Sequence, residues 1–267
     1  MIIALLTDFG TKDPYAGIMK AVISGICPEA KIIDLTHEIE PYEVVSASYV
    51  LYSSWNYFPT GTIFLSVIDP GVGSNRRELV AVSQSKSVIT PDNGTVSLLY
   101  RMNKDLITYR AGKSLLEELK ASRPAYSHTF DGRDLFAPLA AIAAESGLSN
   151  IVGERVEPVL LTEIESKITE GRVSGRVIHI DRFGNSITSI HIEDIKEKNT
   201  YASRASVFIY GRKKGQILKI HRSFSDVKIG EALAYWGSSG FLEIAVRNGN
   251  ASQLLKLGLR DMVELEL

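Results

Sequence analysis

The chain holds 267 residues, 45% of them hydrophobic and 23% charged, a balance that suits a globular protein with one large or two modest domains and excludes disordered, collagen-like and disulfide-scaffold classes. Thirty Lys and Arg against thirty-one Asp and Glu leave a formal charge of −1, so no overall basic field exists to hold a nucleic-acid backbone or an anionic membrane. Cys27 has no second cysteine to pair with, and His37, His128, His179, His191 and His221 are not spaced as zinc ligands; no metal and no cofactor is expected, and a reducing cytoplasm fits.

From the amino end, Ile2–Leu6 reads as a buried strand, Ala16–Gly25 as a helix, Lys31–Leu35 as a strand and Val44–Tyr57 as an amphipathic helix. Alternation of this kind builds a parallel sheet. The opening Met-Ile-Ile-Ala-Leu-Leu lacks the basic flank and cleavage site of a leader and is taken as the first strand. Thr62–Val67 is a strand running into Asp69-Pro-Gly-Val-Gly-Ser; Leu79–Val82 and Ser87–Thr90 form a hairpin, followed at once by Pro91-Asp-Asn-Gly94. Phe136–Ser146 is a helix stopped by Gly147. The apolar stretch Leu135–Ala144 contains Pro138 and falls well short of the ~20 residues a membrane span needs, so no membrane partner is expected.

Beyond Gly153 the texture changes to a polar stretch and then to short segments rich in β-branched residues: Gly175–Ile180, Ser186–Ile190, Ser206–Ile209, Gln216–Ile220 and Phe241–Val246. That spacing belongs to a small all-β barrel or sandwich. The fold class is therefore an N-terminal α/β sheet domain (1–160), a linker (161–171) and a small C-terminal β-barrel domain (172–267).

Loops after parallel strands are where α/β sheets bind ligands, and three polar clusters fall there. In Thr7-Asp8-Phe9-Gly10, Asp8 either accepts the hydroxyls of a ribose or caps the following helix. In the second cluster, the glycines at 71 and 73 let Asp69 and a guanidinium of Arg76 or Arg77 fold back on each other; such a pair either orients a water or is an ordinary surface ion pair. Pro91-Asp-Asn-Gly94 is the third. Ser127-His-Thr-Phe-Asp-Gly-Arg-Asp134 packs a histidine, two carboxylates and an arginine before a helix, with Asp134 expected as its N-cap and His128 as a loop histidine. In the second half, Asp181-Arg-Phe-Gly-Asn185 and Ser238-Ser-Gly240 read as turns between strands, Glu243 and Asn248-Gly-Asn250 add polar groups to an apolar strand and its exit, and Trp236 and Phe241 are either a stacking face or core.

Taken together these residues resemble the S-adenosylmethionine hydroxide adenosyltransferases, relatives of the fluorinase and chlorinase. Thr7–Gly10, Asp69–Arg77, Pro91–Gly94, Thr129-Phe-Asp-Gly-Arg-Asp-Leu-Phe-Ala-Pro138, Asp181–Asn185 and Ser238-Ser-Gly-Phe-Leu-Glu-Ile-Ala245 occur in the family's order across nearly the whole chain. The resemblance implies an α/β domain joined to a β-barrel, a homotrimer with each ligand held between neighbouring subunits, and displacement at the 5′ carbon of S-adenosyl-L-methionine by water, giving adenosine and L-methionine without a metal. It further implies that Asp8 holds the ribose diol, that Asp13 and Tyr15 border the methionine part, that Asn185 with Asn250 and Ala251 meets adenine, that Asp181 pairs with the methionine ammonium, and that Ser238 and Ser239 meet its carboxylate. Glu243 joins this substrate-binding set.

For catalysis the resemblance implies an Asp-Arg-His set whose first two members match Asp69 and Arg76, with Arg77 a neighbour. The third departs: the family pattern is Thr-Phe-His-Gly-Arg-Asp, whereas Asp131 stands between Phe130 and Gly132 and the nearest histidine is His128. Either His128 reaches in or Asp131 substitutes, and a second carboxylate beside Asp69 would raise one of their pKa values. Gly132 occupies the place of the fluorinase's fluoride-binding serine, which argues against fluorination. The expected activity is S-adenosyl-L-methionine hydrolysis; the alternatives are an adenosine- or S-adenosyl-L-methionine-binding protein with weak or lost catalysis and a chloride-using transferase.

Overall fold

The computed structural model describes residues 1–122, 129–169, 171–198, 206–209 and 216–266, and the chain divides into two compact units, Met1–Leu160 and Leu161–Leu267. In the first, β1 (Ile2–Thr7), α1 (Tyr15–Ile26), β2 (Lys31–Thr36), α2 (Val44–Trp55) and β3 (Ile63–Val67) alternate as expected. They are followed by β4 (Glu78–Val82), β5 (Ser87–Pro91), α3 (Ser97–Met102), β6 (Ile107–Ala111), α4 (Lys113–Ala121), α5 (Ala137–Ser146) and β7 (Val152–Arg155). The strands lie in the order β2-β1-β3-β5-β4-β6-β7. β2, β1, β3 and β5 are parallel as expected, and β4 pairs antiparallel with β5 as the expected hairpin; β6 and β7, for which the sequence reading named no strand, also run antiparallel to their neighbours. The tight turn at 83–86 forces β4 and β5 into an antiparallel pair, and β6 lies on the far side of β4, running opposite to it.

β1 is apolar on both faces because both are covered. Ile3 and Leu5 face α1 and α5 with Met19, Ile23 and Leu139, while on the opposite side Trp55 of α2 stacks on Phe64 of β3 at 5.0 Å between ring centroids. The chain reverses direction at β1, so α1 and α2 fall on opposite faces and a crevice opens beyond the carboxyl ends of β1 and β3. Before α5 the chain makes a π-helical turn over Gly132–Phe136, closed by the Ala137 N–H on the Gly132 carbonyl. Asp134 sits inside this turn, bonded to the Arg133 Nε at 2.5 Å, and caps no helix; that expectation is corrected. α5 does end at Gly147, whose φ of 98° is open to glycine at little cost.

The second unit contains β8 (Lys167–Thr169), β9 (Arg172–Ile180), β10 (Ser186–His191), β11 (Ser206–Ile209), β12 (Gln216–His221), β13 (Ala232–Trp236), β14 (Phe241–Val246), α6 (Ala251–Leu255) and β15 (Met262–Glu266). The strands run β10-β14-β13-β12-β11-β15-β9-β8, and β9 pairs again with β10, which closes a seven-stranded barrel with β8 alongside β9. Alternate inward residues, including Val173, Val177, Ile190, Val207, Leu242, Ile244 and Val263, fill it. β8 pairs with β9 inside the stretch expected to be linker.

His179 on β9 is largely buried, and burial pushes its imidazole down to about 4, against the opposing pull of the Asp181 charge. The unfolded chain then binds a proton that the folded chain refuses between pH 6.5 and about 4, so stability present above pH 6.5 is lost as pH falls through that window. Denaturant titrations at neutral pH and near pH 4 are expected to differ by roughly 3 kcal/mol from this group, and His179→Gln removes that share of the loss.

Candidate active site

Asp8 leaves the carboxyl end of β1. Its Oδ2 accepts the Tyr42 backbone N–H at 2.9 Å, and Tyr42 takes a φ of 70°, costly for an aromatic residue and persisting only where the surroundings demand it. Burial raises the Asp8 pKa above the ordinary 3.8 and the Asp69 charge adds to this, with the Tyr42 N–H working the other way. The helix-capping alternative is not realised: α1 starts from Pro14 without any side-chain cap.

Asp69 follows β3, and the loop to β4 doubles back so that Arg76 grips it, with Nε 3.0 Å from Oδ1 and Nη2 2.5 Å from Oδ2. The same Nη2 lies 2.5 Å from Oδ2 of Asp131, which enters from the start of the π-helical turn. All three side chains are at most 9% exposed, so the reading as a surface ion pair is set aside. The guanidinium lies over the Phe136 ring, its Cζ 5.0 Å from the centroid. Burial by itself would lower the Arg76 pKa, but its hydrogen bonds and ion pairs with Asp69 and Asp131 outweigh that and raise it.

Arg77 faces elsewhere. Its guanidinium meets Asp92, with Nε 2.7 Å from Oδ2, and the Glu157 carbonyl at 2.9 Å; Asp92 also accepts the Val159 N–H at 2.8 Å. Asn93 donates to the Ile68 carbonyl at 2.7 Å. The third cluster, Pro91–Gly94, thus braces the loops and the 157–159 segment, and of the two arginines it is Arg76 that supplies the guanidinium to Asp69.

A cleft of about 310 Å³ opens over this group, lined by Asp8, Phe9, Pro41, Tyr42, Val72, Asp69, Phe130 and Asp131 among others. Phe130 packs edge to face with Phe9 and Tyr15, which are tilted against each other, all with centroids 5.2 to 5.8 Å apart, making an aromatic wall. A Cβ at Gly132 would fall 3.0 Å from Phe130 Cε2 and 3.2 Å from Met19 Sδ, so a serine there would require Phe130 and Met19 to give by a few tenths of an ångström. Asp13 is exposed on the turn before α1. His128 lies outside the described residues. Among the described residues no group of three or more His, Cys, Asp or Glu is placed to hold a metal ion, and no described helix is long and apolar enough to cross a membrane. Tyr42 escaped the sequence reading because what commits it is a backbone angle.

The barrel carries the second set. Asp181 Oδ1 accepts the N–H groups of Phe183 and Asn185 at 2.9 Å, and Oδ2 accepts the Asn185 side-chain amide at 2.8 Å. The hairpin tip meets α6 where the Ser252 N–H reaches the Gly184 carbonyl at 2.9 Å. Asn250 caps α6, its Oδ1 accepting the Gln253 N–H at 2.8 Å, and Ala251 is fully buried behind it. Glu243, on β14 opposite Ile187, accepts the Tyr235 hydroxyl at 2.5 Å; burial raises its pKa, the Tyr235 bond opposes this and the Asp181 charge reinforces it. Asp181, Asn185, Asn250, Ala251 and Glu243 are therefore gathered, while Ser238 and Ser239 occupy the β13–β14 turn, with the Ser239 carbonyl 3.3 Å from His191 Nε2. Phe241 is core. Trp236 is half-buried against the barrel core, and its Nε1 has no hydrogen-bond partner among the described residues.

An α/β unit with an acid-lined cleft at its strand ends, followed by a closed barrel, defines a class of two-domain enzyme. The S-adenosylmethionine hydroxide adenosyltransferase N-terminal domain model matches residues 3–153, the C-terminal domain model matches 175–264, and the chain belongs to this family. It is 34% identical over 269 residues to an (R)-S-adenosyl-L-methionine hydrolase of Thermus thermophilus, covering 98% of this chain and 97% of the relative. A second, from Methanocaldococcus jannaschii, is 36% identical over 278 residues, covering 99% and 95%. A Nocardia brasiliensis fluorinase is more distant at 26% over 300 residues, covering 99% and 97%. The crystal structure of a conserved protein from Thermotoga maritima superposes with a TM-score of 0.86 at 36% identity over all of both chains.

Because Asp92 is buried and Arg77 is its cationic partner, Arg77→Met strands a carboxylate. Urea titration is expected to show a loss of about 1–3 kcal/mol, discounted for the partly exposed guanidinium, with part of it regained in Arg77→Lys.

Proposed function

We propose that the protein hydrolyses S-adenosyl-L-methionine to adenosine and L-methionine, and the observation that carries this reading is the buried Arg76 guanidinium clamped between Asp69 and Asp131, two carboxylates that line the cleft. Family membership and the hydrolase relatives support the substrate. Water attacks C5′ in line; the C5′–O bond forms as the C5′–S bond breaks, the electron pair goes to sulfur, and a neutral thioether leaves without needing a proton. The attacking water surrenders its proton, and Asp69 is the acceptor, oriented by Arg76. Asp131 stands where the family pattern has histidine and shares the same Nη2. Asp8 binds the ribose diol, with Asp13 and Tyr15 toward the methionine part.

The barrel residues Asp181, Asn185, Ser238, Ser239, Glu243, Asn250 and Ala251 complete substrate binding from a neighbouring subunit of a homotrimer, as the family resemblance implies. A cytoplasmic setting suits a lone buried cysteine. Asp8, Asp69 and Asp131 all line the cleft, which favours a sulfonium cation as substrate and water over a halide as nucleophile.

Chromatography after incubation with S-adenosyl-L-methionine in halide-free buffer tests the reading: adenosine and methionine are expected in equal amounts. Asp69→Asn is expected to slow release by about 10² or more while adenosine binding stays nearly unchanged. Saturable adenosine binding without release would mark a binding protein, and a chlorinated nucleoside formed in chloride buffer would mark a transferase. Since Asp8 titrates above the ordinary 3.8, protonation removes an acceptor as pH falls, and calorimetry is expected to show adenosine affinity weakening on the acid side. Asp8→Asn flattens that dependence.

A further inference from the structure

We propose that Glu78, steadied by Lys120, is a positioning residue that fixes the Arg76 guanidinium so that one edge serves Asp69 and Asp131 together; this rests on the hydrolase reading and deepens it. Arg76 spends its Nε and Nη2 on Asp69 and Asp131. That leaves Nη1, which lies 3.5 Å from Oε1 of Glu78. Lys120, in the last turn of α4, approaches the same oxygen to 3.4 Å. The guanidinium is thus held along its edges by three carboxylates, with Phe136 beneath one face.

Three features separate this from incidental packing. Glu78 opens a strand whose other residues, Leu79-Val-Ala-Val82, are apolar, yet its side chain is only 3% exposed. Burying a carboxylate costs several kcal/mol, and an apolar residue would fill a strand position with less penalty. Glu78 Oε2 has no hydrogen-bond partner among the described residues, so the cations on Oε1 are its visible anchors. Arg76 and Glu78 are also two residues apart, at the point where the catalytic loop becomes β4, so the strand's rigidity is passed to the guanidinium. Without Glu78 the Nη1 edge has no anion against it, the fork is held from the Asp69 and Asp131 side alone, and its tilt between those two carboxylates is less closely fixed.

The test pairs kinetics with a measurement independent of turnover. Glu78→Ala is expected to lower kcat about 10- to 100-fold, the scale of a misplacement near 1 Å, with KM for S-adenosyl-L-methionine little changed; Glu78→Gln, which still offers an acceptor to Nη1, recovers much of the loss. In an Arg76→Lys background Glu78→Ala is expected to cost less than threefold, because its effect runs through the guanidinium. Equal losses in both backgrounds overturn the proposal. By nitrogen-15 NMR the Arg76 Nε–Hε resonance, assigned by its disappearance in Arg76→Lys, is expected to be protected in the wild type and Glu78→Gln but to exchange rapidly in Glu78→Ala; an unchanged resonance overturns the proposal. If the wild type releases no product, the hydrolase reading fails while the resonance still decides Glu78. If Glu78→Ala does not fold, Lys120→Met, on a half-exposed side chain, decides: a smaller fall in kcat with faster Arg76 exchange supports the assignment, and wild-type behaviour in both overturns it.

Discussion

A buried guanidinium must be met on every edge or it destabilises the fold that contains it, and the N-terminal unit is arranged around meeting this demand at Arg76. The end of β3 supplies Asp69, the entry to β4 supplies Glu78, the π-helical turn supplies Asp131 and the end of α4 brings Lys120 behind Glu78. Elements distant in sequence are thereby tied to one charge. Arg77 performs a separate task on the opposite side of the loop, binding Asp92 and the 157–159 segment. Two adjacent arginines serve the cleft carboxylates and the scaffold respectively because alternate residues of an extended chain point opposite ways.

Asp8, Asp69 and Asp131 give the cleft an excess of negative charge that Arg76 offsets only in part. On the proposed reaction that excess has a direction in time. The substrate enters as a sulfonium cation and its methionine portion leaves with a neutral sulfur, so attraction is strong before the reaction and weak after it. The positive φ of Tyr42 belongs to the same arrangement, since its backbone N–H is the donor that steadies the Asp8 carboxylate.

Much of this was legible in the residues themselves. β1, α1, β2, α2 and β3 announce themselves by periodicity, and the loop glycines at 71 and 73 foretell that Asp69 and an arginine meet. Which arginine meets it depends on strand direction, and that Asp131 joins the same nitrogen across 55 positions depends on packing that no local pattern encodes. Glu78 was invisible because a glutamate at a strand's edge ordinarily points to water. Asp134 reads as a cap by its place before a helix, but the π-helical turn enrols it with Arg133 instead. In the barrel, β13 (Ala232-Leu-Ala-Tyr-Trp236) lacks the β-branched residues that mark other strands and β15 pairs with the distant β9 and β11, and the polar tips at 181–185 and 238–240 look like ordinary turns because they are turns. Asp181 and Asn185 meet within one hairpin turn, and Asn250 joins them because β14, which it follows, pairs with β10.

The turn over Gly132–Phe136 accommodates one residue more than an α-helix would use, as the Ala137 bond to Gly132 records. Helical side chains advance by about 100° per residue, so removing that residue would let the segment relax into regular α-helix while rotating everything before it by nearly a third of a revolution. Phe136 and the buried face of α5 would stay seated, and Asp131 would swing away from Arg76. The surplus residue is therefore an aiming device: it decouples the phase of the cleft from the phase of the core, leaving each free to vary without disturbing the other.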